Sequence, residues 1–580
     1  MTSSSASAIT PTSETTKTAS GFEMIFEKDV AVQMSDGLAL RVNIFRPSKP
    51  GRYPVVMAHG IYGKDVHFNH AFKPQWEKLT KTYPGLDKDG STGRFLRWEI
   101  PDPERWVPHG YVIVAADTRG SGKSPGYLDP RQPRENQDYY ELIEWAGMQG
   151  WSNGKVGLLG ISYLAINQWK AAALQPPHLA AICPWEGHWD HYRDGSRHGG
   201  ILSNSFSTAW WPRQVLSNQH GSGKTHYVDA DTGERTTGPA LSEEMLAGNR
   251  EDHPANHLRH VLYDQWHQSR TPDMDKVMVP LLSAGNLGGP GLHLRGNVSG
   301  FVEAASKHKW LSLHIGTHYD SFYMPAYVEM QRRFFDRFLK DERNGWDDEP
   351  RVRIEVRDMH DKVARVRMAD AWPLKETQWT RYYLDGASKR LGLDEPKEEN
   401  AVTYDALGDG VTFSTPPMEQ DTEITGYVAA TLTIESSTTD MDIFAVLRAF
   451  DADGKEVIFA GAHEPTPVSR GWLRASHRKR DRAKSKPYRP FLVHDEIQKL
   501  EPGKRYTVEL EIWPTSLLLP KGHRLALTLM GKDFEIEGIP GRILHNDPTD
   551  RPPSEFGGKN TVVTGGRAAS FLLLPIIPGD

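Results

Sequence analysis

A single cysteine, Cys183, stands among 580 residues. That scarcity excludes an internal disulfide framework and a cysteine-based zinc cluster. Long apolar runs are also missing: nothing approaches the roughly 18 residues of a membrane span. Met1 to Ser20 is rich in Ser, Thr and Ala and lacks the apolar core of a secretory signal. Residues 1–21 therefore read as a disordered tail, the protein as cytoplasmic, and a membrane is not expected as a partner. There is no surplus of positive charge either. The 69 Lys and Arg are outnumbered by 75 Asp and Glu, for a formal net charge of −6, so no nucleic acid partner is expected. What is present, including 17 Trp, 20 Tyr and 20 Phe, suits a soluble enzyme with deep apolar pockets or large sheets. The length exceeds one core and predicts roughly two to four domains.

Short Val/Ile/Leu-rich runs dominate the first third of the chain. Val30 to Met34 and Ala39 to Phe45 flank Ser35-Asp36-Gly37, a hairpin signal. Pro54 to Ala58, Tyr111 to Ala116, Val156 to Leu159 and Leu179 to Cys183 follow, separated by helical or looped stretches. This pattern predicts an α/β fold whose parallel sheet is buried on both faces. A segment rich in His, Trp and Asn then interrupts the grammar and reads as an inserted helical cap over 189–276. Strands resume at Val279 to Ala284 and Trp310 to Ile315, before an amphipathic helix ending near Leu339. The sheet domain thus comprises residues 22–188 and 277–355. Beyond residue 355, period-two segments such as Gly426 to Ile434, Ile443 to Phe450 and Tyr506 to Ile512, with Asp453-Gly454 as a tight turn, predict an all-β jelly-roll domain over 356–580. The basic run Arg474 to Arg482 reads as a solvated loop.

The densest chemical signal is Val156-Gly157-Leu158-Leu159-Gly160-Ile161-Ser162-Tyr163-Leu164, an apolar strand running through Gly-x-Ser into an Ala-rich helix. A serine at such a junction sits on a strained turn with its Oγ exposed above the sheet and a helix N-terminus beneath it. This is how α/β-hydrolases present a nucleophile, although Leu164 stands where G-x-S-x-G has its second glycine. The base is expected just past the last sheet strand, where His314-Ile315-Gly316-Thr317-His318 occurs. His318 follows a glycine that can swing it over the sheet, whereas His314 lies within the strand and reads as packed or surface-facing. The Tyr163 backbone N–H follows the nucleophile and is one oxyanion donor. His59-Gly60-Ile61-Tyr62 follows an earlier strand and offers the Tyr62 hydroxyl as the second.

Together these features resemble the cocaine esterase / X-Pro dipeptidyl-peptidase family of serine hydrolases (the CocE/NonD group) across residues 25–580. Gly160-Ile161-Ser162-Tyr163, Asp117-Thr118-Arg119-Gly120, Tyr62 before Lys64, Phe334 to Leu339 and Trp472 to His477 all fit. The resemblance implies an α/β-hydrolase sheet, a helical cap and a C-terminal jelly roll. It also implies Ser162 as nucleophile, His318 as base, and Tyr62 with the Tyr163 N–H as oxyanion hole. One departure stands out. The family's acid lies in a Gly-Gly-Trp-x-Asp segment, which here reads Gly285-Asn286-Leu287-Gly288-Gly289, with Gly289 in place of the aspartate. Glu186, at the end of the adjacent strand, is expected to take over as orienting acid; Asp190, Asp320 or a dyad with no acid are the alternatives, and a salt bridge to Arg193 is the structural reading of Glu186.

Trp185, Trp189, Trp210 and Trp211 either line an acyl or aromatic pocket or form cap core. The run His188, His191 and His198 matches no compact zinc spacing, so no metal and no cofactor are expected. The predicted activity is hydrolysis of a small-molecule carboxylic ester through an acyl-enzyme. The alternatives are an amidase, acylase or X-Pro-type peptidase on the same fold, acyl transfer to another nucleophile, and a non-catalytic carbohydrate- or ligand-binding protein with a decayed site. A homo-oligomer is compatible with the chain.

Overall fold

Residues that alternate or run apolar in the first third of the chain become strands in the computed structural model, which describes residues 9–225, 227–568 and 570–579. The strands are β1 (Thr12–Lys17), β2 (Glu23–Gln33), β3 (Ala39–Pro47), β4 (Tyr53–Gly60), β5 (Val112–Asp117), β6 (Ser152–Ile161) and β7 (Leu179–Trp185). They continue with β8 (Leu281–Asn286), β9 (Lys309–His314), β10 (Val352–Arg357) and β11 (Val363–Ala369). The sheet order is β1-β2-β3-β5-β4-β6-β7-β8-β9-β10-β11. It is parallel from β5 to β10 and antiparallel at both edges. The central strands β5 and β8 are buried along their whole length, as the continuous apolar runs require.

Helices cover both faces: α1 (Pro133–Gly147), α2 (Tyr163–Ala173), α3 (Leu294–Glu303) and α4 (Pro325–Leu339). In α4, Phe334, Phe335 and Leu339 turn inward while the arginines face out. Gly157 permits this close packing, because a Cβ there would lie 2.5 Å from the Phe335 ring. The tail reading needs correction. Thr12–Lys17 pairs with β2 as an edge strand, so the chain is ordered well before residue 21; residues 1–8 lie outside the described residues.

Between β7 and β8 the chain makes short helical segments, including Phe206–Val215, His253–Arg259 and Gln265–Ser269, with one two-stranded pair, Arg197–His198 against Ile201–Leu202. No described helix is long and apolar enough to cross a membrane.

The C-terminal strands fall where the alternation put them, but their ladders do not separate into the two sheets of a sandwich. They run from Thr422–Ser436 through Tyr506–Leu519, Ser469–Arg474, Asp442–Phe450, Arg524–Met530, Val411–Ser414, Arg390–Gly392, Gln378–Asp385 and Phe571–Ile577 back to Thr422–Ser436, closing a mixed barrel. Closure depends on single pairings, Gly471↔Ile512 and a parallel Arg390↔Ser414. At the first of these only glycine fits: a Cβ on residue 471 would lie 2.4 Å from the Glu511 carbonyl. Arg357↔Leu517 ties β10 to this barrel. Arg474 is buried on Asp442 and Asp550, so the basic run starts in the interior rather than in a solvated loop.

Candidate active site

β6 ends at Ile161 and α2 begins at Tyr163, leaving one residue to reverse the chain. Ser162 does so at φ 55° and ψ −116°, a conformation costly for a residue with a Cβ. Its N–H is held by the carbonyls of Trp185 and Glu186, both at 3.1 Å, and its carbonyl accepts from Ala165 and Ile166 in the first turn of α2. The oddity at Leu164 has a steric explanation. Its side chain fills space left by two other glycines: a Cβ on Gly160 would lie 2.6 Å from Leu164 Cβ, and one on Gly60 2.6 Å from its Cδ1. The room a second glycine would give the turn comes from its neighbours instead.

Gly316, at φ 102°, carries the chain off β9 and brings His318 over the sheet edge. The His318 Nδ1 donates to Glu186 Oε2 at 2.6 Å. Glu186 lies at the end of β7 with φ 47°, and its Oε1 also meets His314 Nε2 at 2.9 Å and the Asn286 amide at 3.2 Å. His314 is therefore a partner of Glu186, not merely packed. Burial favours a neutral Glu186, but His318 and His314 hold its carboxyl down at about 2. Burial likewise opposes a charged His318, but Glu186 outweighs it and, with Glu99, pushes the imidazole up to about 9. At Gly288 and Gly289, where the resemblance led an acid to be expected, the chain receives a loop of the barrel: a Cβ on Gly288 would lie 2.9 Å from the Ala460 carbonyl.

Tyr62 follows β4. Its hydroxyl accepts from Trp210 Nε1 at 3.0 Å, lies within hydrogen-bonding reach of Ser162, and its ring stacks on Trp98. Burial and the charge of Glu99 raise this phenol, so it stays protonated and can donate. The Tyr163 N–H opens α2, where the first amides have no partner within the helix. The loop bearing Tyr62 is pinned by a buried ionic cluster. Lys64 Nζ meets Asp29 at 2.5 Å and Asp65 at 2.6 Å, and the Lys64 N–H donates to Asp117 at 2.6 Å. Lys123 joins through Asp29, and Lys28 through Asp229.

Three residues at this site were not among the sequence candidates. His293, at the N-cap of α3, places Nε2 3.2 Å from Ser162 Oγ, and its ring stacks on that of His318 with centroids 5.2 Å apart. Glu99 comes from the long connection between β4 and β5, is buried at φ 62°, and brings Oε1 to 3.5 Å from His318 Nε2. His463 belongs to the C-terminal barrel and approaches His318 with ring centroids 4.5 Å apart. Only the positive φ of Glu99 marks it as unusual, and that is invisible in sequence.

Other expectations need correction. Trp185 is core, donating to Ser321 Oγ and packed on His314 and Phe322; Trp189 donates to Ser299 and packs on the far side of the sheet. Trp211 stacks on His253, and Trp210 alone of the four tryptophans bonds a residue beside Ser162. Asp190 pairs with Arg193 and Asp320 accepts from Thr317 N–H, so neither meets His318 and Arg193 does not engage Glu186. The His188, His191 and His198 run does not converge: His188 bonds the Leu292 carbonyl and His198 bonds His545.

A strained serine at a strand–helix elbow and a carboxylate-held imidazole, both at the C-terminal edge of one parallel sheet, define a serine hydrolase of the α/β type. The X-Pro dipeptidyl-peptidase (S15) family profile matches residues 36–320, and the profile of the X-Pro dipeptidyl-peptidase C-terminal non-catalytic domain matches 344–573. A CocE/NonD family hydrolase from Staphylococcus aureus is 33% identical with a TM-score of 0.83, covering 100% of this chain and 99% of that one. The chain belongs to the CocE/NonD family of hydrolases. It is also 24% identical to the cocaine esterase of a Rhodococcus species over 95% of its own length and 98% of that protein's. An aminopeptidase from a marine sediment archaeon shares the fold at 17% identity and a TM-score of 0.70.

Proposed function

We propose that this hydrolase cleaves a carboxylic ester of a small molecule through an acyl-enzyme on Ser162. His318, its Nδ1 held by Glu186, accepts the Ser162 proton as Oγ bonds to the carbonyl carbon, then returns it to the departing alkoxide. Water repeats the sequence and releases the acid. Tyr62 and the Tyr163 N–H stabilise the tetrahedral oxyanion. His293 holds the Ser162 hydroxyl before substrate arrives. The observation that carries this reading is the 2.6 Å contact between His318 and Glu186 on the strand next to the Ser162 elbow. A base that becomes an imidazolium is oriented and stabilised by a carboxylate on its other nitrogen. His293 has none: its Nδ1 lacks a partner, and burial with the neighbouring His318 and His463 drives it well below the ordinary histidine range. The hydrogen bond at Ser162 Oγ is made by His293, and the reading has the serine turn to His318 when substrate binds.

A second reading, amide or peptide cleavage, is favoured by Glu99. Sequence offered no acid to hold a substrate amine, and this buried carboxylate beside His318 supplies one. Residues 22–188 with 277–355 would then be the catalytic domain, 189–276 its cap, and 356–580 a barrel of jelly-roll descent; the lone Cys183 suits a cytoplasmic setting, and a homo-oligomer stays compatible with the chain. A fluorophosphonate probe tests the reading. Wild type is expected to be labelled and Ser162→Ala to stay unlabelled; equal labelling of both, or of neither, would favour a ligand-binding protein with a decayed site.

A further inference from the structure

The C-terminal barrel puts one histidine into the catalytic domain, and the hydrolytic reading gives it no task. His463 lies on the turn between Phe459 and Thr466, which pair across it. That turn is anchored to the sheet domain on both sides: Ala462 N–H donates to the Gly288 carbonyl, and the Ala462 carbonyl accepts from His318 N–H. The ring is consequently held 4.5 Å from that of His318 and 5.4 Å from that of His293, measured between centroids. Its Nε2 is buried without a hydrogen-bond partner, as is His293 Nδ1. One nitrogen from each of His293, His318 and His463 can be chosen so that all lie within 4.8 Å of one another.

Unpartnered buried imidazole nitrogens carry a desolvation cost that something must offset. Three convergent imidazoles are a donor set suited to borderline divalent ions, above all Zn²⁺, which takes three protein ligands and leaves a fourth position open. The surroundings match such a site. His318 Nδ1 is held by the Glu186 carboxylate, the arrangement that fixes the tautomer and orientation of metal-binding histidines. Glu99 places a carboxylate beside the rings, with Oε1 3.5 Å from His318 Nε2 and Oε2 without a partner.

We propose that His293, His318 and His463 form a binding site for a divalent transition-metal ion of the Zn²⁺ type, and that occupancy reversibly switches the hydrolase off. The inhibitory half rests on His318 being the base. The Nε2 lone pair that would accept the Ser162 proton is the one the ion takes, so metal and turnover exclude each other. The barrel thereby gains a regulatory role through a single side chain.

The test uses the full-length protein freed of metal by a chelator. Micromolar Zn²⁺ is expected to suppress ester hydrolysis, and renewed chelator to restore it. His463→Ala and His463→Asn should keep the basal rate but need more than about tenfold more Zn²⁺ for the same loss, since even an outer-shell partner contributes that much to metal affinity. Binding is followed independently of turnover with Co²⁺ and its visible absorption. Wild type and Ser162→Ala should each take up one equivalent, and the His463 variants should bind more weakly. Zn²⁺ without effect on the rate, His463 variants as sensitive as wild type, or no Co²⁺ uptake by Ser162→Ala would each overturn the proposal. Because Ser162→Ala reports binding without catalysis, a failed metal site is distinguished from a failed esterase reading.

Discussion

Two kinds of structure meet at Ser162, and they differ in how they hold their side chains. Ser162, Glu186 and His318 are carried at the ends of β6, β7 and β9, on three strands of one parallel sheet. Glu99, His293, Trp210 and His463 come from a long connection, a helix N-cap, the segment over the sheet and the C-terminal barrel. The first set is fixed by strand register, as when Glu186 N–H donates to the Ala284 carbonyl of β8 at 2.7 Å. The second is fixed by packing of connections, a helix end and a barrel turn against the sheet. The contrast suggests that chemistry belongs to the sheet edge, while protonation, orientation and access are set by what has been laid over it.

The sharpest way to break that division is to exchange one residue from each side. Glu186→Gln leaves the shape intact but offers His318 an amide that can favour the wrong tautomer, and a loss of about 10⁴-fold in kcat is expected. His293→Asn should cost only about tenfold, the value of one neutral hydrogen bond to the serine. Steady-state kinetics on a chromogenic ester decides the matter. If the two losses are equal, the base is His293 and the overlying pieces perform the chemistry; a near-normal Glu186→Gln removes the carboxylate from the mechanism.

The same division governs what could be read from sequence. The β6–Ser162–α2 elbow was legible because strand, Gly-x-Ser and helix are contiguous and each has its own period. Glu186 was legible because an acid expected at Gly289 is missing there, which forces a search of the neighbouring strand end, and sheet geometry limits where that search can go. Glu99, His293 and His463 were not legible. Each is remote from Ser162 in the chain and none lies in a motif; Glu99 and His293 arrive through connections of the sheet domain, and His463 through a turn of the C-terminal barrel, none of which carries a periodic signal. The tryptophans failed for a related reason: Trp185 and Trp189 belong to a cluster in sequence, but strand alternation and the sheet send them into different cores. The closure of the barrel was likewise beyond reach, since it rests on close approach at Gly471 rather than on any change in alternation.

Tyr62 stands at the border of the two sets, carried by β4 but oriented by Trp210 from the overlying segment. Tyr62→Phe removes one oxyanion donor and should lower kcat by about 10²- to 10³-fold with little change in KM. Trp210→Phe removes only the donor that aims the phenol, and a loss of about tenfold is expected. Should Trp210→Phe cost as much as Tyr62→Phe, orientation from above matters as much as the group itself, and the separation of roles weakens.

The smallest effect is expected at Glu99, and it concerns pH rather than rate. His318 must be neutral to accept a proton, so kcat/KM should rise with pH through the His318 value of about 9. Burial pushes Glu99 itself up to about 7, so over the alkaline part of that rise it is ionised and stabilises the imidazolium. Glu99→Gln removes that negative charge, which makes the His318 proton easier to lose. The acidic limb of the profile should therefore move to lower pH, with the alkaline plateau unchanged and activity near neutrality increased. A limb that stays in place would show that Glu186 alone sets the base. A limb that stays while activity falls only on substrates bearing a free amine would instead assign Glu99 to substrate binding, and with it favour the amide-cleaving reading.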